Sequence, residues 1–255
     1  MTKSLLLLFL LALTPQVFSA ETAPQNTQPN FLVIVADDMG WSDISPFGGE
    51  IRTPTLQQLA EEGLAMSQFY VAPTCAPTRA QLMTGLDNHR AGVGTQKDTH
   101  APNQLGHEHY KGQLLPNVVT IPEGLARLGY ESVMAGKWHL DIDRTQLPSD
   151  RGFDRSFILR EGGASHFADQ RPINPGNTVT YLEDGEPATI PSDFYSTTHY
   201  TSKLIEYIDE VPSETPFFAY LAYTAPHDPL QVPDDWRDRY KGAYKEGPDA
   251  VRAKR

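Results

Sequence analysis

Asn30-Phe31-Leu32-Val33-Ile34-Val35-Ala36, running directly into Asp37-Asp38-Met39-Gly40, is the stretch whose reading sets the fold. A continuous apolar, β-branched run without polar alternation predicts a central strand buried on both faces of a largely parallel sheet. In open α/β sheets ligands bind beyond the carboxyl ends of the strands, which is where the two adjacent carboxylates fall. Side by side at a buried strand end they repel each other unless a cation sits between them, and a hard divalent ion with oxygen ligands answers that need. A solvated acidic turn is the alternative reading of the same pair.

Two more runs repeat the pattern. Tyr130 to Ala135 reads as a short strand and leads into Gly136-Lys137-Trp138-His139-Leu140, where an extended chain would point Lys137 and His139 the same way. Phe217 to Tyr223 reads as another buried strand, followed by Thr224-Ala225-Pro226-His227-Asp228-Pro229. Three strand ends therefore bring Asp37 with Asp38, Lys137 with His139, and His227 to one rim. Helices are predicted between them. Thr53 to Gly63 has a capping threonine, proline at the first helical position and an exit glycine, with Leu56, Leu59 and Ala60 inward. Thr120-Ile121-Pro122-Glu123 is a capping box opening a helix through Leu125 and Leu128 to Gly129. Thr197 to Glu210 is amphipathic, with Leu204, Ile205 and Ile208 on one face. Strands alternating with helices give a doubly wound α/β sheet with right-handed crossovers.

The sole cysteine, Cys75, lies between Pro73 and Pro77 and cannot close an internal disulfide. Leu64 to Val71 is predicted as the strand that delivers it, and a short helix is predicted from about Thr78 to Met83, stopped by Gly85. A helix N-terminus favours an anion or a developing negative charge; a small buried, inert thiol is the alternative. Asn88 to Leu115 reads as a loop holding His89, His100, His107 and His109. Its His107-Glu108-His109 spacing is a weak metal signal beside an exposed or substrate-rim loop. Residues 141–195, rich in Pro and Gly, read as irregular chain shaping a pocket mouth rather than a core. Asp234 to Arg255 reads as a charged surface helix or loop.

The chain has 255 residues, 39% of them hydrophobic, enough for one sizeable core. A formal net charge of −11 and a pI near 5.1 argue against a nucleic-acid partner, which needs a clustered basic face. Any anion site must then be a local concentration of positive charge. Met1 to Ala20, with Lys3, an apolar run from Leu5 to Leu13, and Ser19 and Ala20 at its end, reads as a secretory signal peptide too short to span a bilayer. That implies a secreted or periplasmic protein without stable membrane insertion. Residues 21–29 read as a polar leader, and the folded part as starting at residue 30.

Cys75-Ala76-Pro77-Thr78-Arg79, with Leu82-Met83-Thr84-Gly85 behind it, resembles the signature of the formylglycine-dependent sulfatases, of the bacterial arylsulfatase kind. Asp37-Asp38-Met39-Gly40-Trp41, Gly136-Lys137-Trp138-His139 and Ala225-Pro226-His227 follow the same family order. The resemblance implies an alkaline phosphatase-like α/β fold and hydrolysis of sulfate esters. It implies that Cys75 is converted to formylglycine by a maturation enzyme, and that the hydrated aldehyde attacks sulfur and then expels sulfate through its second hydroxyl. Arg79 would hold the hydrate, while Asp37, Asp38 and residue 75 would ligate one Ca2+, or Mg2+. Lys137 would neutralise sulfate charge, His139 would take the proton of the second hydroxyl, and His227 would assist the leaving oxygen. The substrate would be a small-molecule or saccharide sulfate ester. Family members continue into a further Asp-Asn ligand pair, a second sulfate-binding lysine and a small C-terminal sheet domain. No Asp-Asn dipeptide follows His227 here, so residues 30–255 are expected to be an incomplete N-terminal catalytic domain. A phosphonate or phosphodiester hydrolase of the same superfamily and an inactive secreted anion-binding protein are the alternatives.

Overall fold

A computed structural model describes residues 28–254, so the expected signal peptide lies outside the described residues. Its centre is a six-stranded sheet in the order β1 (Phe31–Asp37), β6 (Phe217–Pro226), β2 (Glu131–Lys137), β3 (Arg155–Leu159), β4 (Tyr181–Glu183), β5 (Glu186–Pro187). The first four are mutually parallel, and β4 and β5 add on antiparallel. Every parallel strand therefore points its carboxyl end at the same edge.

Alternation along β2 and β6 builds a core on each face of the sheet. Met134, Phe218, Tyr220 and Ala222 face helices α2 (Cys75–Thr84) and α3 (Ile121–Ala126), packing with Ala76, Ala80, Met83, Trp138 and Phe153. Val133, Ala135, Ala219 and Leu221 face α4 (Ser196–Glu210), packing with Phe157, Tyr200, Leu204 and Tyr207. Helices on both faces of a mostly parallel sheet are the doubly wound architecture expected from the strand runs. The capping box forms as well: Glu123 N donates to Thr120 Oγ1 at 3.3 Å and Thr120 N donates to Glu123 Oε2 at 2.6 Å.

Several local expectations need correction. β1 is an edge strand, not a central one, and Phe31, Leu32 and Ile34 are 42%, 55% and 54% exposed, because no described strand pairs with its outer side. Leu64 to Val71 forms no strand; Leu64, Met66, Phe69, Tyr70 and Val71 are exposed, and the segment joins no strand of the sheet. The first helix, α1 (Pro54–Glu62), turns Leu56 and Leu59 outward, and Thr53 Oγ1 accepts from Ser45 N instead of capping it. In α4 Leu204 is buried but Ile205 is exposed. Residues 141–195 are not merely a pocket mouth, since Ser156-Phe157-Ile158-Leu159 is a short buried run held between charged Arg155 and Arg160 and extends the sheet as β3. The cysteine helix starts at Cys75 itself, with Thr74 as its N-cap residue; Pro77 is tolerated in the first turn because its missing N–H would have had no partner there. Asp234–Arg237 and Pro248–Lys254 are short exposed surface helices, as the charged C-terminal stretch suggested.

Candidate active site

The parallel edge gathers the predicted residues. β1 ends in Asp37, 4% exposed, whose carboxylate lies between two buried cations. Lys137 Nζ from the end of β2 is 2.6 Å from Asp37 Oδ2, and Arg79 Nη2 from α2 is 3.2 Å from Oδ1. Two cations against one carboxylate leave a net positive charge in a protein that is acidic overall, which is the local concentration an anion site requires. Arg79 also donates from Nη1 to the Lys137 carbonyl at 3.0 Å and to Tyr220 Oη at 3.2 Å. Burial works against the charge on Arg79, but Tyr220, Asp37 and Cys75 outweigh it and raise its pKa. Arg79 Nε has no hydrogen-bond partner among the described residues, while Nη2 is held against Asp37 Oδ1. A buried N–H group left open is suited to a further oxygen anion.

Cys75 stands at the first position of α2, half-buried. Its Sγ is 3.4 Å from His139 Nδ1, and Gln96 Nε2 donates to it at 3.0 Å. His139 does not reach the site by strand alternation, since β2 stops at Lys137 and His139 has φ 57°, in the left-handed region. Its imidazole lies against Gly162, where a Cβ would come within 2.6 Å of Cε1. Burial, then the charges of Lys137, Arg79 and His227, push the His139 pKa well below its usual value, so the ring is neutral.

Asp38 is also left-handed, with φ 62°, so it turns away from Asp37 and meets the residue after β6: Asp38 Oδ2 is 3.5 Å from His227 Nε2. Left-handed non-glycine residues cluster at functional sites, and here one follows the end of β1 and one the end of β2. His227 Nδ1 donates to the Asp228 carbonyl at 2.7 Å, which leaves Nε2 for Asp38 and the pocket. Gly136, beside Lys137, has φ 117° and runs so close to β6 that a Cβ would come within 1.9 Å of the Ala222 carbonyl oxygen.

A cavity of about 590 Å³ lies at this edge, lined by Cys75, His139 and His227 and walled by Gln96, Arg160 and residues 161–163, 173–174 and 176–178. Gln96, Arg160 and Tyr220 carried no motif signal. Of the loop over 88–115 it is Gln96 that reaches the reactive side chain, whereas His109 Nδ1 is occupied by the His89 carbonyl. For a metal, Asp37 and Asp38 are hard oxygen donors of the right kind at the right end of the sheet. Among the described residues no group of three or more His, Cys, Asp or Glu is gathered to hold an ion.

The fold and the site together define a doubly wound α/β protein of alkaline phosphatase-like type, with a buried Lys137–Asp37–Arg79 cluster and a cavity at the carboxyl ends of its strands. Residues 29–255 match the Sulfatase family model, and the chain belongs to that family. It is 47% identical over 227 residues to the arylsulfatase of Klebsiella aerogenes, covering 88% of this chain and 48% of that one. It is 43% identical over 241 residues to an uncharacterized sulfatase of Schizosaccharomyces pombe, covering 91% of this chain and 44% of that one. The crystal structure of Ps i-CgsB in complex with k-i-k-neocarrahexaose superposes with a TM-score of 0.69 at 31% identity, covering 81% of this chain and 47% of the other. The chain thus spans about half the length of the relatives it matches.

Proposed function

We propose that this chain carries the nucleophile-bearing part of an exported sulfate-ester hydrolase, with residues 1–20 as its signal peptide. The observation that supports this most is the approach of Cys75 Sγ to His139 Nδ1 at 3.4 Å beside the Lys137–Asp37–Arg79 cluster. Position 75 is the site of a formylglycine installed by a maturation enzyme, whose hydrated aldehyde supplies the oxygen nucleophile. Asp37, Asp38 and residue 75 would be ligands of a divalent cation, Ca2+ or Mg2+, which polarises sulfate oxygens when bound.

This chain's own groups do the rest. Arg79, with its open Nε–H, and Lys137 draw a sulfate toward the strand ends and stabilise the charge that grows on its oxygens as the ester bond breaks. His139, kept neutral, accepts a proton at Nδ1 from the side chain at 75. His227 presents Nε2 to the leaving oxygen. The Gln96, Arg160, Asn174 and Asn177 side chains in the pocket wall and the saccharide complex of Ps i-CgsB support a sulfated sugar as the organic half of the substrate.

The test has two readouts. The mass of the peptide containing Cys75, taken from protein made with its maturation machinery, is expected to show the aldehyde. Turnover of nitrophenyl sulfate is expected to exceed that of phosphate mono- and diesters and to vanish in Cys75→Ala. An intact thiol, or turnover retained in Cys75→Ala, would sink the mechanism.

A further inference from the structure

His166 occurs in none of the sequence motifs and touches neither the cavity nor Cys75. It is 2% exposed and lies in the irregular segment after β3. Both of its ring nitrogens are used. Nε2 faces the His227 carbonyl at 3.2 Å, and since a carbonyl only accepts, Nε2 carries the proton. Burial, the largest influence, lowers the pKa of His166, so in its neutral form Nδ1 is bare and accepts from Ser196 Oγ at 2.8 Å. Thr224 Oγ1 lies 3.3 Å from the same Nδ1 and 3.4 Å from Ser196 Oγ, so two hydroxyls face the bare nitrogen while Nε2–H points to the His227 carbonyl. On the main chain, His166 N donates to Gln231 Oε1 at 2.9 Å, and Ser165 Oγ donates to the same oxygen at 3.1 Å.

These contacts fall on residues 224, 227 and 231, before, on and after the turn that carries His227. The turn's own backbone contact from His227 N to the Thr224 carbonyl, at 3.0 Å, sets its curvature but ties it to nothing outside β6. One buried imidazole joins it to the start of α4 and to the segment after β3.

We infer that His166 is a positioning residue for His227: it donates Nε2–H to the His227 carbonyl and so holds the imidazole of His227 against Asp38 and the pocket. The inference rests on the role proposed for His227.

A double-mutant cycle on the matured full chain, with nitrophenyl sulfate as substrate, tests it. His166→Leu is expected to lower kcat about tenfold with KM within about twofold, since a misplaced group that acts in the reaction costs rate before it costs ground-state binding. His166→Gln, whose amide can still donate to the carbonyl, should recover most of that loss. In a His227→Ala background His166→Leu should change kcat less than about twofold. An equal tenfold loss in that background, or no rescue by Gln, overturns the inference while leaving the wider reading intact. An unchanged rate in His227→Ala alone overturns the role of His227 and this inference with it. Should His166→Leu not fold, Ser196→Ala combined with Thr224→Val removes both hydroxyls on Nδ1 and takes its place in the cycle. A readout independent of turnover is the imidazole 15N spectrum of the unmatured chain: the Nε2–H tautomer of His166 is expected, and the Nδ1–H tautomer overturns the inference.

Discussion

Replacing Asp37 with Asn keeps the shape of the side chain and removes the one charge that balances two buried cations. In the wild type Lys137 is 0% exposed and Arg79 2%, and their contacts to the carboxylate are 2.6 and 3.2 Å. Breaking a buried ion pair by removing one partner costs about 3–5 kcal/mol, because an uncompensated charge stays behind in a low-dielectric interior. Two such charges remain here, which places the expected loss at the upper end, about 5 kcal/mol. Native domains have only about 5–15 kcal/mol in total, so Asp37→Asn removes a third or more of it. For a chain of this length about 1 kcal/mol moves Tm by roughly 2–4 °C, giving a fall of about 10–20 °C. Urea unfolding followed by far-UV circular dichroism measures this, with the midpoint shifting and the slope m unchanged. A loss below about 1 kcal/mol would refute the reasoning, because it would mean that Lys137 and Arg79 are balanced by something other than Asp37. Lys137→Met in the Asp37→Asn background should restore part of the lost stability, since it removes one of the two stranded charges.

Other outcomes stem from the same geometry. Gly162→Ala places a Cβ 2.6 Å from His139 Cε1 and 2.8 Å from Nε2, so it should displace the imidazole and lower kcat at least tenfold while moving Tm little. Gln96→Leu removes the N–H donor on the side chain at 75 and should lower kcat several-fold with KM nearly unchanged, which steady-state kinetics of the matured protein will show. His139 has a folded-state pKa well below its usual 6.5, so the unfolded chain binds the extra proton first and stability falls as pH drops below about 6.5. His139→Gln should therefore flatten the dependence of Tm on pH below about 6.5, relative to wild type.

The strand ends were legible because each couples two signals that a single chain displays: an apolar run of the right length, and a polar residue where the run stops. Asp37, Lys137 and His227 stand out that way, and Cys75 by its motif. His139 reaches the site for a different reason from the one its spacing suggests, since a left-handed backbone rather than alternation turns it to Cys75. Gln96 and His166 were not legible. Each acts through one contact made across the fold, by an amide to Cys75 and by an imidazole to the His227 carbonyl, and nothing adjacent in sequence marks either. The reading of β1 as a central strand failed because apolar composition reports what a strand is suited to bury, not which neighbours lie beside it.

That open side of β1 also governs how residues 28–254 behave in solution. An unpaired row of backbone N–H and C=O groups, flanked by Phe31, Leu32 and Ile34, is a template for another strand, including the β1 of a second molecule. Asp37 closes that same strand, so a strand added along the edge would end beside the carboxylate that Lys137 and Arg79 hold. Association through that edge would bring a neighbouring chain up to the backbone beside Asp37, and is expected to show as a concentration dependence of particle size.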